Sequence, residues 1–84
     1  MAKIIIYSTN HCPYCSNAKR LFELKKANYT EINIENDPEK QDEMIRLTGR
    51  RSVPQIFIND QHIGGCDDLY ALNTEGKLDE LLKN

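Results

Sequence analysis

The chain lacks any apolar run of membrane-spanning length, for which about 20 consecutive apolar residues would be needed, so no membrane span is expected. It lacks a basic surplus. Its 11 Lys and Arg stand against 13 Asp and Glu, for a net charge of −2. That is the wrong sign for a protein that binds by neutralising phosphates, and no nucleic-acid partner is expected. Repeats, linkers and low-complexity segments are missing too. At 84 residues there is no length for two cores, so residues 1–84 are expected to form one domain. The opening Met1-Ala2-Lys3-Ile4 leads straight into a strand-like run, without the apolar stretch and small-residue cleavage site of a secretory leader. A cytoplasmic chain is expected, in a compartment that keeps thiols reduced. Finally, an even set of cysteines is lacking. Three of them, Cys12, Cys15 and Cys66, argue against a disulfide framework, and a close pair in a reducing compartment points to catalysis or metal binding.

What is present reads as an ordinary globular chain. Hydrophobic residues make up 39% and charged residues 29%, too apolar a mixture for disorder. Residues 3–8, "KIIIYS", predict a buried strand. From Pro13 the period changes. Cys15, Ala18, Leu21 and Phe22 form a helical stripe, and Pro13 suits a first helical turn, where its missing N–H has no partner. Lys19, Arg20, Lys25 and Lys26 fall off the stripe and are expected on a solvated face. Residues 29–34, "YTEINI", predict a second strand. Asp37 as N-cap, Pro38 and Glu39 in the first turn and Gly49 as C-terminal cap bracket a second helix, with Met44, Ile45 and Thr48 on one face. Residues 55–59 and 61–63 flank Asn59-Asp60 as a hairpin. A short helix is expected from "CDDLYALN", and a last turn or two carries Leu78, Leu81 and Leu82. The order is β-α-β-α-β-β-α(-α). The first two strands are expected to run parallel across a right-handed crossover.

The cysteine pair admits two chemistries. C-x-x-C is half of a common zinc site, with His62 and Cys66 as the only other half on offer. That second element is mixed and abuts a Gly-Gly, and a chain with a full βαβ core needs no metal to fold. Redox chemistry fits better. Cys12 stands just before a helix start, where free N–H groups and the positive end of the dipole favour a thiolate. Cys15 lies one turn inside, in reach of a mixed disulfide formed on Cys12. C-x-x-C at the start of a βαβ unit in a cytosolic chain is the mark of a thioredoxin-like redox motif.

"CPYC" at 12–15, "SVPQIFI" at 52–58 and "GGCDDL" at 64–69 together resemble the glutaredoxin family, its dithiol CPYC type and in particular the bacterial glutaredoxin 3 type. The likeness runs in register over essentially the whole chain. It implies an α/β thioredoxin fold: a four-stranded mixed sheet, strand order second-first-third-fourth, flanked by three to four helices. It implies glutathione as reducing co-substrate, with no bound cofactor and no metal. Cys12 is implied as nucleophile and Cys15 as resolving thiol, and Tyr14 flanks the thiol groove with a ring that could pack on glutathione. Pro54 matches the family's cis-proline, which leaves the Val53 N–H and C=O free beside Cys12 to pair with the cysteinyl part of glutathione like one added strand rung. Ser52 replaces a commoner Thr and keeps a hydroxyl. Gly65, Cys66 and Asp67 form a helix start suited to the γ-glutamyl end, backbone N–H groups for its carboxylate and the Asp67 side chain for its ammonium. Asp67 also reads as an ordinary N-cap, and Asp68 as helix-end electrostatics. Gln41 and Arg51 are implied for the glycyl carboxylate.

One position departs from the family. Thr9 stands where many relatives carry a Lys near the thiolate, with His11, Arg50 and Arg51 as the nearby basic residues. The implied activity is reduction of glutathione mixed disulfides by Cys12 alone and of protein disulfides by Cys12 with Cys15. Implied partners are glutathione and glutathionylated or disulfide-containing proteins, ribonucleotide reductase among the candidates, acting on a monomer. Alternatives are a redoxin linked to thioredoxin reductase, an iron–sulfur cluster carrier and the zinc module. The Cys66 thiol is expected to be a bystander or an off-cycle oxidation site.

Overall fold

Three consecutive isoleucines open the core. Their β-branched side chains favour extended backbone and form β1 (Ile4–Ser8). In this computed structural model, which describes residues 2–83, the chain continues through α1 (Pro13–Leu24), β2 (Thr30–Asn33), α2 (Pro38–Thr48), β3 (Gln55–Ile58), β4 (Gln61–Gly64), α3 (Cys66–Thr74) and α4 (Lys77–Leu82). The sheet order is β2-β1-β3-β4. β1 and β2 are parallel, whereas β3 runs antiparallel to both β1 and β4. The expected mixed sheet is the one observed, with four helices among the described residues.

Alternation along β1 divides the interior in two. Ile4 and Ile6 face one way and join Ala18, Leu21 and Phe22 of α1, Ile56 and Ile58 of β3, Leu69 of α3 and Leu78 of α4. Tyr7 faces the other way and joins Ile34 and Met44, with Ile5, Ile45, Val53 and Phe57 packed around them. The sheet is thus sandwiched between α1 with α3 on one face and α2 on the other. Within these layers the apolar stripe of α1 is buried as its spacing implied.

Local signals set the ends of these elements. The Asp37 carboxylate accepts the Lys40 N–H at 3.1 Å and caps α2. Gly49 ends that helix at φ 72°, a conformation open to glycine at no steric cost. The β3–β4 turn puts both Asn59 (φ 51°) and Asp60 (φ 66°) in the left-handed region, the two-residue turn whose twist suits a hairpin. Asn and Asp tolerate that region where larger residues do not.

Two expectations are corrected. The basic residues on and just after α1 are not all solvated: Lys19 pairs with Glu31 at 3.0 Å and the C-cap Lys25 with Asp79 at 2.8 Å, both lysines half-buried. Nor is Asp67 the cap of α3. Gly65 is the N-cap, and Asp68 reaches back to accept the Gly65 N–H at 3.0 Å. The carboxylate three residues into a helix has the geometry to return to the first residue, and one two residues in does not. Among the described residues no helix is long and apolar enough to cross a membrane.

Candidate active site

The loop from β1 to α1 is clasped to the end of β2. The Asn10 backbone N–H and side-chain amide both donate to Glu35, at 3.0 and 2.9 Å, and Asn33 donates to the Asn10 side chain at 2.8 Å. His11 follows, exposed and at φ 55°, and turns the chain into Cys12. Cys12 is the N-cap of α1, in extended conformation, with Pro13 next. Its carbonyl accepts the Ser16 N–H at 3.0 Å and its Sγ accepts the Cys15 N–H at 3.2 Å. An N–H of the first turn is therefore aimed at the sulfur, the contact by which helix N-termini hold anions.

The two cysteines differ sharply. Cys12 is half-buried and Cys15 is 1% exposed, and all three cysteines are free thiols. Burial pushes the Cys15 thiol well up, and the hydrogen bond and charge of Cys12 push the same way. The Thr9 N–H and Lys19 pull against them and do not prevail. Cys66, 8% exposed, is also raised, first by burial and then by Asp67 and Cys12.

Beside the pair lies a cleft of about 230 Å³. Tyr14 borders it, 61% exposed and so available to a ligand. One wall is the segment Ser52-Val53-Pro54, with a cis bond between Val53 and Pro54. Among the described residues no hydrogen bond takes up the Val53 N–H or C=O. The opposite wall is the start of α3: Gly65, Cys66, Asp67 and Asp68. Gly64 before it has φ 121°. A Cβ there would lie 2.7 Å from the Asp68 Cγ, so a side chain at this position strains the backbone and displaces the Asp68 carboxylate.

Of the residues singled out in the sequence, Tyr14, Ser52, Val53, Pro54, Gly65, Cys66 and Asp67 come together around the cleft. Gln41 and Arg51 do not. The Gln41 amide donates to the Ile34 carbonyl at 2.9 Å, and Arg51 is exposed outside the lining. The cation in the lining is Arg50, 3.5 Å from Asp68. Two further lining residues carry polar side chains, Asp68 and Gln55. In the sequence Gln55 reads only as part of a strand. Its signal was an amide in a run of otherwise apolar residues, "QIFI". No three His, Cys, Asp or Glu gather as metal ligands among the described residues. His62, half of the zinc alternative, has its Nε2 2.7 Å from the Gln55 Oε1.

The chain is similar to known proteins over nearly its whole length. The family model described as Glutaredoxin matches residues 4–63. The chain is 53% identical over 83 residues to "Glutaredoxin 3" of Escherichia coli (strain K12), covering 99% of this chain and 100% of that protein. It is 48% identical to "Glutaredoxin" of Pseudomonas aeruginosa over 82 residues, 98% of each chain. Among solved structures, the glutaredoxin of Brucella melitensis superposes with a TM-score of 0.87 at 53% identity, covering 99% of this chain and 90% of that one. The buckwheat glutaredoxin–glutathione complex superposes with a TM-score of 0.89 at 35% identity, over 95% and 76% of the two chains.

Proposed function

The chain belongs to the glutaredoxin family, and from that premise we propose how its own residues divide the work of a glutathione-dependent disulfide reductase. The observation that carries the division is the inequality of the pair. Cys12 is accessible and receives a helix N–H, while Cys15 is buried and held as a thiol.

Cys12 is the nucleophile. Its thiolate attacks the glutathione sulfur of a mixed disulfide. The bond to the substrate sulfur breaks, and the substrate leaves as a thiolate that takes up a proton. A second glutathione thiolate then attacks the glutathione sulfur on Cys12, leaving glutathione disulfide and the Cys12 thiolate. Cys15 is not needed for this cycle. With a protein disulfide, Cys12 forms a mixed disulfide with one protein sulfur and releases the other. Cys15 then loses its proton and attacks the Cys12 sulfur, freeing the reduced protein and forming the Cys12–Cys15 bond. Two glutathione thiols then reduce that bond in turn, restoring the dithiol and leaving as glutathione disulfide.

The same step that engages Cys12 readies Cys15. Once Cys12 is in a disulfide, its charge and its hydrogen bond to Cys15 are gone, two of the influences that keep Cys15 protonated. Burial, the largest influence, remains.

Glutathione occupies the cleft, as the buckwheat complex supports. Its cysteinyl backbone pairs with Val53, its γ-glutamyl carboxylate with the N–H groups opening α3, and its ammonium with Asp67. Arg50 is the cation nearest this end. Gln41 and Arg51 are retained for the glycyl carboxylate on family position alone. A monomeric single-domain chain in the cytoplasm, with ribonucleotide reductase among its acceptors, follows from the resemblance and from thiol chemistry that needs a reducing compartment.

The test is a glutathione-coupled assay on the parent, Cys12→Ser and Cys15→Ser. Cys12→Ser is expected to lose all turnover. Cys15→Ser is expected to keep deglutathionylation and lose protein-disulfide reduction. Normal rates in Cys12→Ser would overturn the assignment.

A further inference from the structure

Only two polar side chains are buried in the described structure, Ser8 and Gln55. Gln55 is 1% exposed at the start of β3, on the sheet face that also carries Phe57. A buried amide is unfavourable unless both ends are hydrogen-bonded, and here both are. The Nε2 donates to the Ser52 carbonyl at 3.0 Å and to the Ser52 Oγ at 3.3 Å. The Oε1 lies 2.7 Å from the His62 Nε2 on the edge strand β4. Burial, and then Arg50, lower the His62 pKa, so the neutral ring is the resting form. Its Nε2–H donates to Gln55, and an imidazolium would donate there as well.

The geometry points to Gln55 as a positioning residue for glutathione, acting through the Ser52–Val53 peptide. This inference rests on the glutathione site proposed above and adds what aims it. The Ser52 carbonyl and the Val53 N–H belong to one planar trans peptide, so they point in opposite directions. A donor that holds the carbonyl inward therefore turns the Val53 N–H outward, toward the cleft that Val53 lines. The hydrogen bond to the carbonyl also polarises the peptide and strengthens its N–H as a donor. The Ser52 carbonyl, which can only accept, fixes which way the amide faces. A flipped amide would set Oε1 against that carbonyl, acceptor to acceptor, and with Nε2 on the carbonyl the Oε1 is left to accept from His62. The relay thus runs from the edge strand, through the interior, to the one peptide proposed to bond the substrate backbone.

The test compares two rates in each variant: kcat/KM with a glutathionylated peptide, and alkylation of Cys12 by iodoacetamide, which needs no Val53 contact. In Gln55→Met, similar in size and without the amide, kcat/KM is expected to fall about tenfold, which corresponds to about 1.4 kcal/mol. Alkylation is expected to stay within about twofold, since less than half a kcal/mol is then involved. In His62→Leu the Oε1 loses its donor, and a fall of about threefold is expected, while His62→Gln restores the parental value. Parallel loss of both rates in Gln55→Met, or loss of neither, overturns the inference. If Gln55→Met does not fold, equal kcat/KM in His62→Leu and His62→Gln overturns it. A parent that does not turn over the peptide refutes the glutathione reading itself and takes this inference with it. A parent that does, beside an unaffected Gln55→Met, refutes only the role of Gln55.

Discussion

Replacing Gly64 by alanine strikes the fold where it builds the wall of the cleft. Two costs are separable. The first is backbone: at φ 121° an L side chain is strained, by about 1–3 kcal/mol for such sparsely populated conformations. The second is the carboxylate next to it. The new Cβ would stand 2.7 Å from the Asp68 Cγ, so Asp68 must leave the Gly65 N–H that it holds at 3.0 Å. Loss of a helix N-terminal cap costs typically about 1 kcal/mol. The Arg50 pair, at 3.5 Å with both side chains about half exposed, adds little. The sum is about 3 kcal/mol, the middle of the strain range plus one cap. For a domain of this size each kcal/mol shifts Tm by about 4–8 °C, so a fall of about 12–24 °C is expected. Urea unfolding of the parent, Gly64→Ala, Asp68→Ala and the double variant separates the costs. In the Asp68→Ala background the cap is already lost and the Cγ contact gone, leaving the residue 68 Cβ 3.0 Å from the new one, so Gly64→Ala is expected to cost about 2 kcal/mol there. Strict additivity of the two changes would refute the shared contact. A neutral Gly64→Ala would refute the backbone argument.

Two further outcomes follow from the raised thiols and a depressed carboxylate. Brief iodoacetamide treatment at neutral pH is expected to modify Cys12 and spare Cys15 and Cys66, because burial keeps the latter two as protonated thiols. Peptide mass spectrometry reads this, and labelling of Cys15 as fast as Cys12 would contradict the assigned roles. The Ser8 hydroxyl, and then Lys19, hold Glu31 below the ordinary carboxylate value of 4.5. A depressed carboxylate stabilises the folded state above its unfolded pKa, and that stability is lost as pH falls through the folded value. Stability is therefore expected to decline from about pH 4.5 downward, and Glu31→Gln to flatten that limb in acid titrations of unfolding; an unchanged limb would exclude Glu31 as a contributor.

The reaction centre was largely legible in the chain because its signals are local. Cys12 before a proline and one turn ahead of Cys15, on the stripe with Ala18 and Leu21, specifies an outer and an inner sulfur through the 3.6-residue period alone. Asp37, Pro38 and Gly49 bracket α2 through capping contacts between residues close in sequence. The binding wall was legible less completely. "SVP" and "GGCDD" marked its two sides, yet which of two adjacent aspartates caps α3 depends on reach within the first turn, and Asp68 has it.

The sequence by itself determined the order of strands and helices, the two faces of β1 and the unequal cysteines, because propensity and periodicity act between near neighbours. Only the tertiary structure decided that Arg50 rather than Arg51 borders the cleft, and that Lys19 ends on Glu31 rather than in water. It alone decided that the Gln55 amide ties His62 to the Ser52 carbonyl. Two adjacent loop arginines have no period to tell them apart. A buried amide joined to an edge strand and a loop exists only once the layers pack and those partners are brought within hydrogen-bonding distance.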